Sequence, residues 1–89
     1  MNNKEIIITI KNREIGVVLV DGKKKLDEIG FPEDHDLSQK LLPAIDKILS
    51  RNGLKIADIK KTRLLSDIKE PYTSYRIAKA VANGLNLGK

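Results

Sequence analysis

Cysteine is absent from this 89-residue chain, and so is tryptophan. Without thiols there is no disulfide staple, no thiol nucleophile and no zinc site of the thiolate type. Aromatic residues are reduced to Phe31, Tyr72 and Tyr75, which leaves few rings to stack on bases and weighs against single-strand nucleic-acid readout. No stretch of about 18 consecutive apolar residues occurs, so no segment reads as a membrane-spanning helix. The opening Met1-Asn2-Asn3-Lys4-Glu5 passes directly into a strand-like run and does not resemble a secretory leader, so a cytoplasmic protein is expected.

What remains is ordinary in amount but narrow in kind. Hydrophobic residues make up 40% of the chain, nearly all of them Ile, Leu, Val and Ala. The length suits one domain, residues 1–89, whose thin core buries only about 60–65% of the unfolded surface. An association interface could add to that burial. Seventeen Lys and Arg against twelve Asp and Glu give a net charge of +5, the sign that attracts nucleic acid or acidic protein surfaces. The densest basic sites are Lys23-Lys24-Lys25 and Lys60-Lys61 with Arg63. Two readings stay open for them: a solvated surface, or contact with nucleic acid.

Along the chain, Glu5 to Ile10 is a β-branched run that reads as a buried strand, and Ile15 to Val20 as a second. Asp21-Gly22 predicts a tight hairpin turn, because glycine takes positive φ freely. Lys23 to Phe31 returns as a more exposed third strand, completing an antiparallel meander. Asp36, three residues before Gln39, forms a capping-box pattern. Leu37, Leu41, Ile45, Ile48 and Leu49 follow at helical spacing, with Leu42 widening the stripe. Pro43 inside that helix removes one backbone hydrogen bond and predicts a bend near Gln39. Asn52-Gly53 ends the helix, Gly53 suiting the left-handed residue that follows a helix C-terminus. Lys55 to Asp58 reads as a connector, Ile59 to Ser66 as containing a strand centred on Leu64 and Leu65, and Thr73 to Leu87 as a second helix. The order is βββαβα, an α/β fold.

Three local sequences carry a resemblance. Val17-Val18-Leu19-Val20-Asp21-Gly22 looks like a strand and turn, Leu37-Ser38-Gln39-Lys40-Leu41-Leu42-Pro43-Ala44-Ile45-Asp46-Lys47-Ile48-Leu49 like a leucine helix with an internal proline, and Tyr72-Thr73-Ser74-Tyr75-Arg76-Ile77-Ala78 like a helix opening, of one family. That family is the TsaB (YeaZ-like) branch of the actin/Hsp70-like, ribonuclease H-like superfamily. The resemblance covers essentially the whole chain and implies a ribonuclease H-like half-lobe, an N-terminal lobe whose second lobe is absent here. It also implies a role beside TsaD in threonylcarbamoyladenosine modification of transfer RNA, with the lobe's helices pairing with themselves as a homodimer or with a TsaD-like protein. On that implication the partner interface draws on Leu41, Ile45, Ile48, Leu49, Ile77, Ala78, Val81 and Leu85. The residue pattern alone also permits all of these to be plain core.

The departures from the family point away from nucleotide chemistry. The family's Gly-Pro-Gly-Ser loop is replaced by Ile68-Lys69-Glu70-Pro71, whose side chains and missing proline N–H cannot cradle a phosphate. The end of the first strand, Thr9-Ile10-Lys11-Asn12, has no acid to hold a metal. Leu37 stands where the family's helix motif opens with His. Glu33-Asp34-His35-Asp36 gathers the only imidazole with three carboxylates, a pattern from which a metal or acid–base site could be drawn, but adjacent side chains cannot all converge and a solvated loop is the simpler reading. Ser38 and Ser74 have no activating base placed by pattern. Arg76, in the first turn of the second helix next to Thr73, could bind an anion, and the simpler reading pairs it with a nearby acid such as Asp67 or Glu70. The expectation is a non-enzymatic interaction module with no cofactor and no metal. The competing reading is a small basic RNA-binding domain using Lys23, Lys24, Lys25, Lys60, Lys61 and Arg63.

Overall fold

A computed structural model describes residues 3–32, 37–67 and 73–87. Three strands open the chain: β1 (Lys4–Lys11), β2 (Glu14–Asp21) and β3 (Lys24–Pro32). Helix α1 (Leu37–Arg51), a short 3₁₀ turn (Ile56–Asp58), strand β4 (Lys61–Ser66) and helix α2 (Thr73–Leu87) follow. The sheet order is β3-β2-β1-β4, with the first three strands antiparallel and β4 parallel to β1. This is the βββαβα ribonuclease H-like arrangement that the sequence predicts.

Alternation decides which face of the sheet is covered. The register pairs Ile6 with Leu19, Ile8 with Val17 and Ile10 with Ile15, so six β-branched or leucine side chains share one face and are all essentially fully buried. Onto that face pack Leu37, Leu41, Ala44, Ile45, Ile48 and Leu49 of α1 with Ala78 and Ala82 of α2. Each fully buried Ile or Leu contributes about 1.5–3 kcal/mol of transfer free energy, so this layer contact is what holds the lobe together. The opposite face carries Glu5, Ile7 and Thr9 of β1 and is left half-exposed, as a one-sided sheet allows.

Turn chemistry fixes both hairpins. Gly22 sits at φ +63°, where a side chain would be strained. The β1–β2 turn is built without glycine: Asn12 and Arg13 both take positive φ, at 53° and 63°. Two consecutive residues of this kind define a type I′ turn, for which Asn is well suited and Arg is not.

Helix α1 continues through Pro43 to Arg51. It closes in a Schellman arrangement: Gly53, at φ +68°, donates to the Ser50 carbonyl at 3.1 Å, and Leu54 donates to Leu49 at 2.9 Å. The capping-box pattern at Asp36 lies outside the described residues. Two details differ from the sequence reading. The connector contains a 3₁₀ turn, whose Asp58 carboxylate accepts the Lys55 N–H at 2.8 Å. Strand β4 is not centred on Leu64 and Leu65 together, because adjacent strand residues point to opposite faces. Thr62 is buried and Leu64 half-buried toward the helices, whereas Leu65 is 55% exposed.

Candidate interaction surfaces

The residues nominated for a helical seam separate into two groups. Leu41, Ile45, Ile48, Leu49 and Ala78 lie between the helices and the sheet, none more than 5% exposed, and are therefore core. A residue at that depth has no surface left to offer a partner. Ile77, Val81 and Leu85, four apart on α2, pack against the core but stay only partly covered. Leu42 on α1, outside the nominated set, is 49% exposed. What the helix layer presents to solvent is thus a row of three partly covered aliphatics on α2, with the exposed Leu42 on the neighbouring helix.

Helix α2 is held on the sheet by an unusual device at the free edge. Among the described residues strand β4 has no neighbouring strand on its outer side, and the Asn86 side chain occupies that position at Thr62. Its carbonyl oxygen accepts the Thr62 N–H at 2.8 Å and its amide donates to the Thr62 carbonyl at 2.9 Å. One side-chain amide thereby reproduces the pair of bonds that another strand would make.

The basic residues are redistributed by the topology. In the strand register Lys24 stands opposite Asp21 and Asp21 opposite Lys4, and Lys60 donates its backbone N–H to the Lys4 carbonyl at 2.7 Å. Lys61 stands opposite Glu5 in the next row. The clusters at 23–25 and 60–61, far apart in sequence, therefore stand at one end of the sheet on its two opposite edges. Arg63 leaves the group: its Nε meets Glu5 Oε1 at 2.7 Å, which cancels its charge locally. Lys25 pairs with Glu28 at 3.2 Å, an exposed contact of little energetic weight.

One polar cluster was not legible as such in the sequence. Arg51, in the last turn of α1, grips the Asp27 carboxylate of β3 with two nitrogens, at 2.6 and 2.5 Å, and donates to the Glu28 carbonyl at 3.2 Å. Asn52 adds a bond to Asp27 at 2.7 Å while also donating to the Ile48 carbonyl at 2.6 Å. Hydrogen bonds from Arg51 and then Asn52 hold the Asp27 carboxyl far below the usual carboxylate range, and the same pairing raises Arg51. The cluster ties edge strand β3 to the C-terminus of α1.

An open notch of about 400 Å³ on the uncovered sheet face is lined by Thr9, Lys11, Glu14, Gly16, Glu28 and Gly30, a mixed-charge wall. No group of three His, Cys, Asp or Glu that could hold a metal occurs among the described residues. The Glu33–Asp36 segment with His35, and the Ile68–Pro71 loop, lie outside them. Asp67, nominated as a partner for Arg76, instead accepts the Asn12 N–H at 3.1 Å. No helix of the described residues is long and apolar enough to cross a membrane.

No protein-family profile matches the chain. No curated protein matches it either. Its fold is found among solved structures. YeaZ from Pseudomonas aeruginosa superimposes with a TM-score of 0.81 at 19% identity, over 97% of this chain. A second structure, an uncharacterized protein similar to the peptidase YeaZ from Pseudomonas aeruginosa, gives the same values. The chain spans 39% of the length of either. At this identity the likeness establishes the fold: the chain has the architecture of part of YeaZ.

Proposed function

We propose that this lobe is a non-catalytic pairing module that associates through its helix layer, with a second copy or with a TsaD-like protein, in a role linked to threonylcarbamoyladenosine modification of transfer RNA. The observation that carries the pairing is the α2 row Ile77, Val81 and Leu85, apolar and only partly covered, with Leu42 at 49% exposure on α1. Small Ala78 and Ala82 seat α2 deeply against the lobe, and the larger aliphatics of the next row pack at the margin of that contact and stay only partly covered. The link to transfer-RNA modification rests on the fold shared with YeaZ and on the motifs quoted above.

Methyl resonances test the surface directly. On raising the protein concentration, or on adding a TsaD-like protein, shifts are expected at Leu42, Ile77, Val81 and Leu85. Shifts confined to Ile7, Val18 and Leu65 on the uncovered sheet face would assign association to the wrong side of the lobe and refute the proposal.

A further inference from the structure

The end of the sheet opposite the β1–β2 turn carries a concentration of positive charge that the pairing reading does not use. Across its first row stand Lys24 of β3, Asp21 of β2, Lys4 of β1 and Lys60 before β4. Lys23 tops the adjoining turn, and Lys61 begins β4. Lys23, Lys24, Lys60 and Lys61 are all exposed, and no ion pair engages them among the described residues. The acids close to them are occupied, apart from Asp21: Glu5 by Arg63, Asp27 by Arg51 and Glu28 by Lys25.

We infer that this row is a binding site for the phosphate backbone of double-helical nucleic acid. Three strand spacings of about 4.8 Å separate its ends, so the lysines span about 14 Å. At one charge per about 3.4 Å of axis for each strand, that length meets about four phosphates. The composition separates this occupant from the others. A membrane surface asks for an apolar or aromatic face beside the basic residues, and the exposed apolar side chains near them, Leu26 of β3 and Ile56 of the 3₁₀ turn, are single residues on separate elements with no aromatic among them. Protein interfaces are enriched in aromatics and Arg and depleted of Lys, the reverse of what stands here. With no aromatic ring in the row there is no base stacking, so binding depends on charge and shape and is indifferent to sequence. This site is separate from the helix layer and stands whether or not the lobe pairs.

Fluorescence anisotropy with a labelled RNA duplex of about 20 base pairs tests it across a potassium chloride series. Four phosphate contacts predict a slope of about −3 to −4 in log affinity against log salt. Lys23→Gln with Lys24→Gln should lower its magnitude by about 2, and so should Lys60→Gln with Lys61→Gln, because both edges contribute to one site. Lys11→Gln with Arg76→Gln, at the other end of β1 and on α2, should leave the slope unchanged. All variants are checked for folding by circular dichroism. The inference is overturned by binding without salt dependence, by loss on changing one edge only, or by equal loss in the Lys11 and Arg76 variant. Binding to phosphatidylserine vesicles or to polyglutamate with none to the duplex would overturn it as well.

Discussion

At the scale of single residues, backbone conformation and one ion pair make testable demands. Arg13 occupies φ +63°, the second position of a type I′ turn, where glycine is at ease. Removing the side chain from this left-handed position relieves about 1–2 kcal/mol, partly offset by the extra freedom glycine gives the unfolded chain. Arg13→Gly should therefore raise stability by about 0.5–1 kcal/mol, read from urea unfolding. Asp27 supplies a pH test. Its folded carboxyl titrates far below its unfolded value of about 3.9, so its stabilisation is complete above that value and is lost as pH falls below it. Wild-type stability measured from pH 6 downward should begin to fall near pH 4, and Asp27→Asn should flatten that part of the curve. The sequence disclosed neither partnership in this cluster, because Asp27 lies 24 and 25 residues from Arg51 and Asn52. Gly22 and Gly53 were readable in advance, because a left-handed turn is a property of the residue itself.

At the scale of elements, boundaries followed from local chemistry and facing surfaces did not. The span of α2 is Thr73–Leu87, as its periodicity predicts. The sequence could not say which of its stripes meets the sheet. Ala78 and Ala82 do, and the larger Ile77, Val81 and Leu85 are displaced to a half-covered row, because the small side chains permit the closer approach. Strand β4, Lys61–Ser66, falls within the span the sequence predicts, but of its two apolar residues Leu64 and Leu65 alternation sends only Leu64 inward. Its outer edge depends on Asn86. Asn86→Ala leaves the Thr62 N–H and carbonyl without their partner and should cost about 1–3 kcal/mol. It should also speed amide exchange at Thr62 relative to the central strands β1 and β2. Unchanged exchange there would show that the edge needs no such cover.

At the scale of the whole molecule, the helix layer packs compactly on one face of the sheet. The Cα radius of gyration is 12.2 Å, against about 12 Å for a compact chain of this length. Partly covered or exposed apolar side chains stand on the helix layer at Leu42, Ile77, Val81 and Leu85, on the uncovered sheet face at Leu65 and on β3 at Leu26, and the exposed lysines stand at one sheet end. The order βββαβα was legible from periodicity and turns. The convergence of the lysines was not, because it depends on β3 and β4 being the two edges of one sheet. The division of the seam residues into core and surface likewise required the packing, since every one of them is an aliphatic at helical spacing.

Pairing through the helix layer is most directly tested by solution mass. Light scattering over a concentration series should be run on the chain alone and mixed with a TsaD-like protein, for wild type and for Val81→Glu. Ile45→Glu is unsuitable, because Ile45 is 3% exposed and a charge there would unfold the lobe. The account predicts a dimer, or a one-to-one complex with the TsaD-like protein, that reverts to folded monomer in Val81→Glu. A wild-type monomer in both settings, or an assembly that Val81→Glu leaves intact, would contradict it.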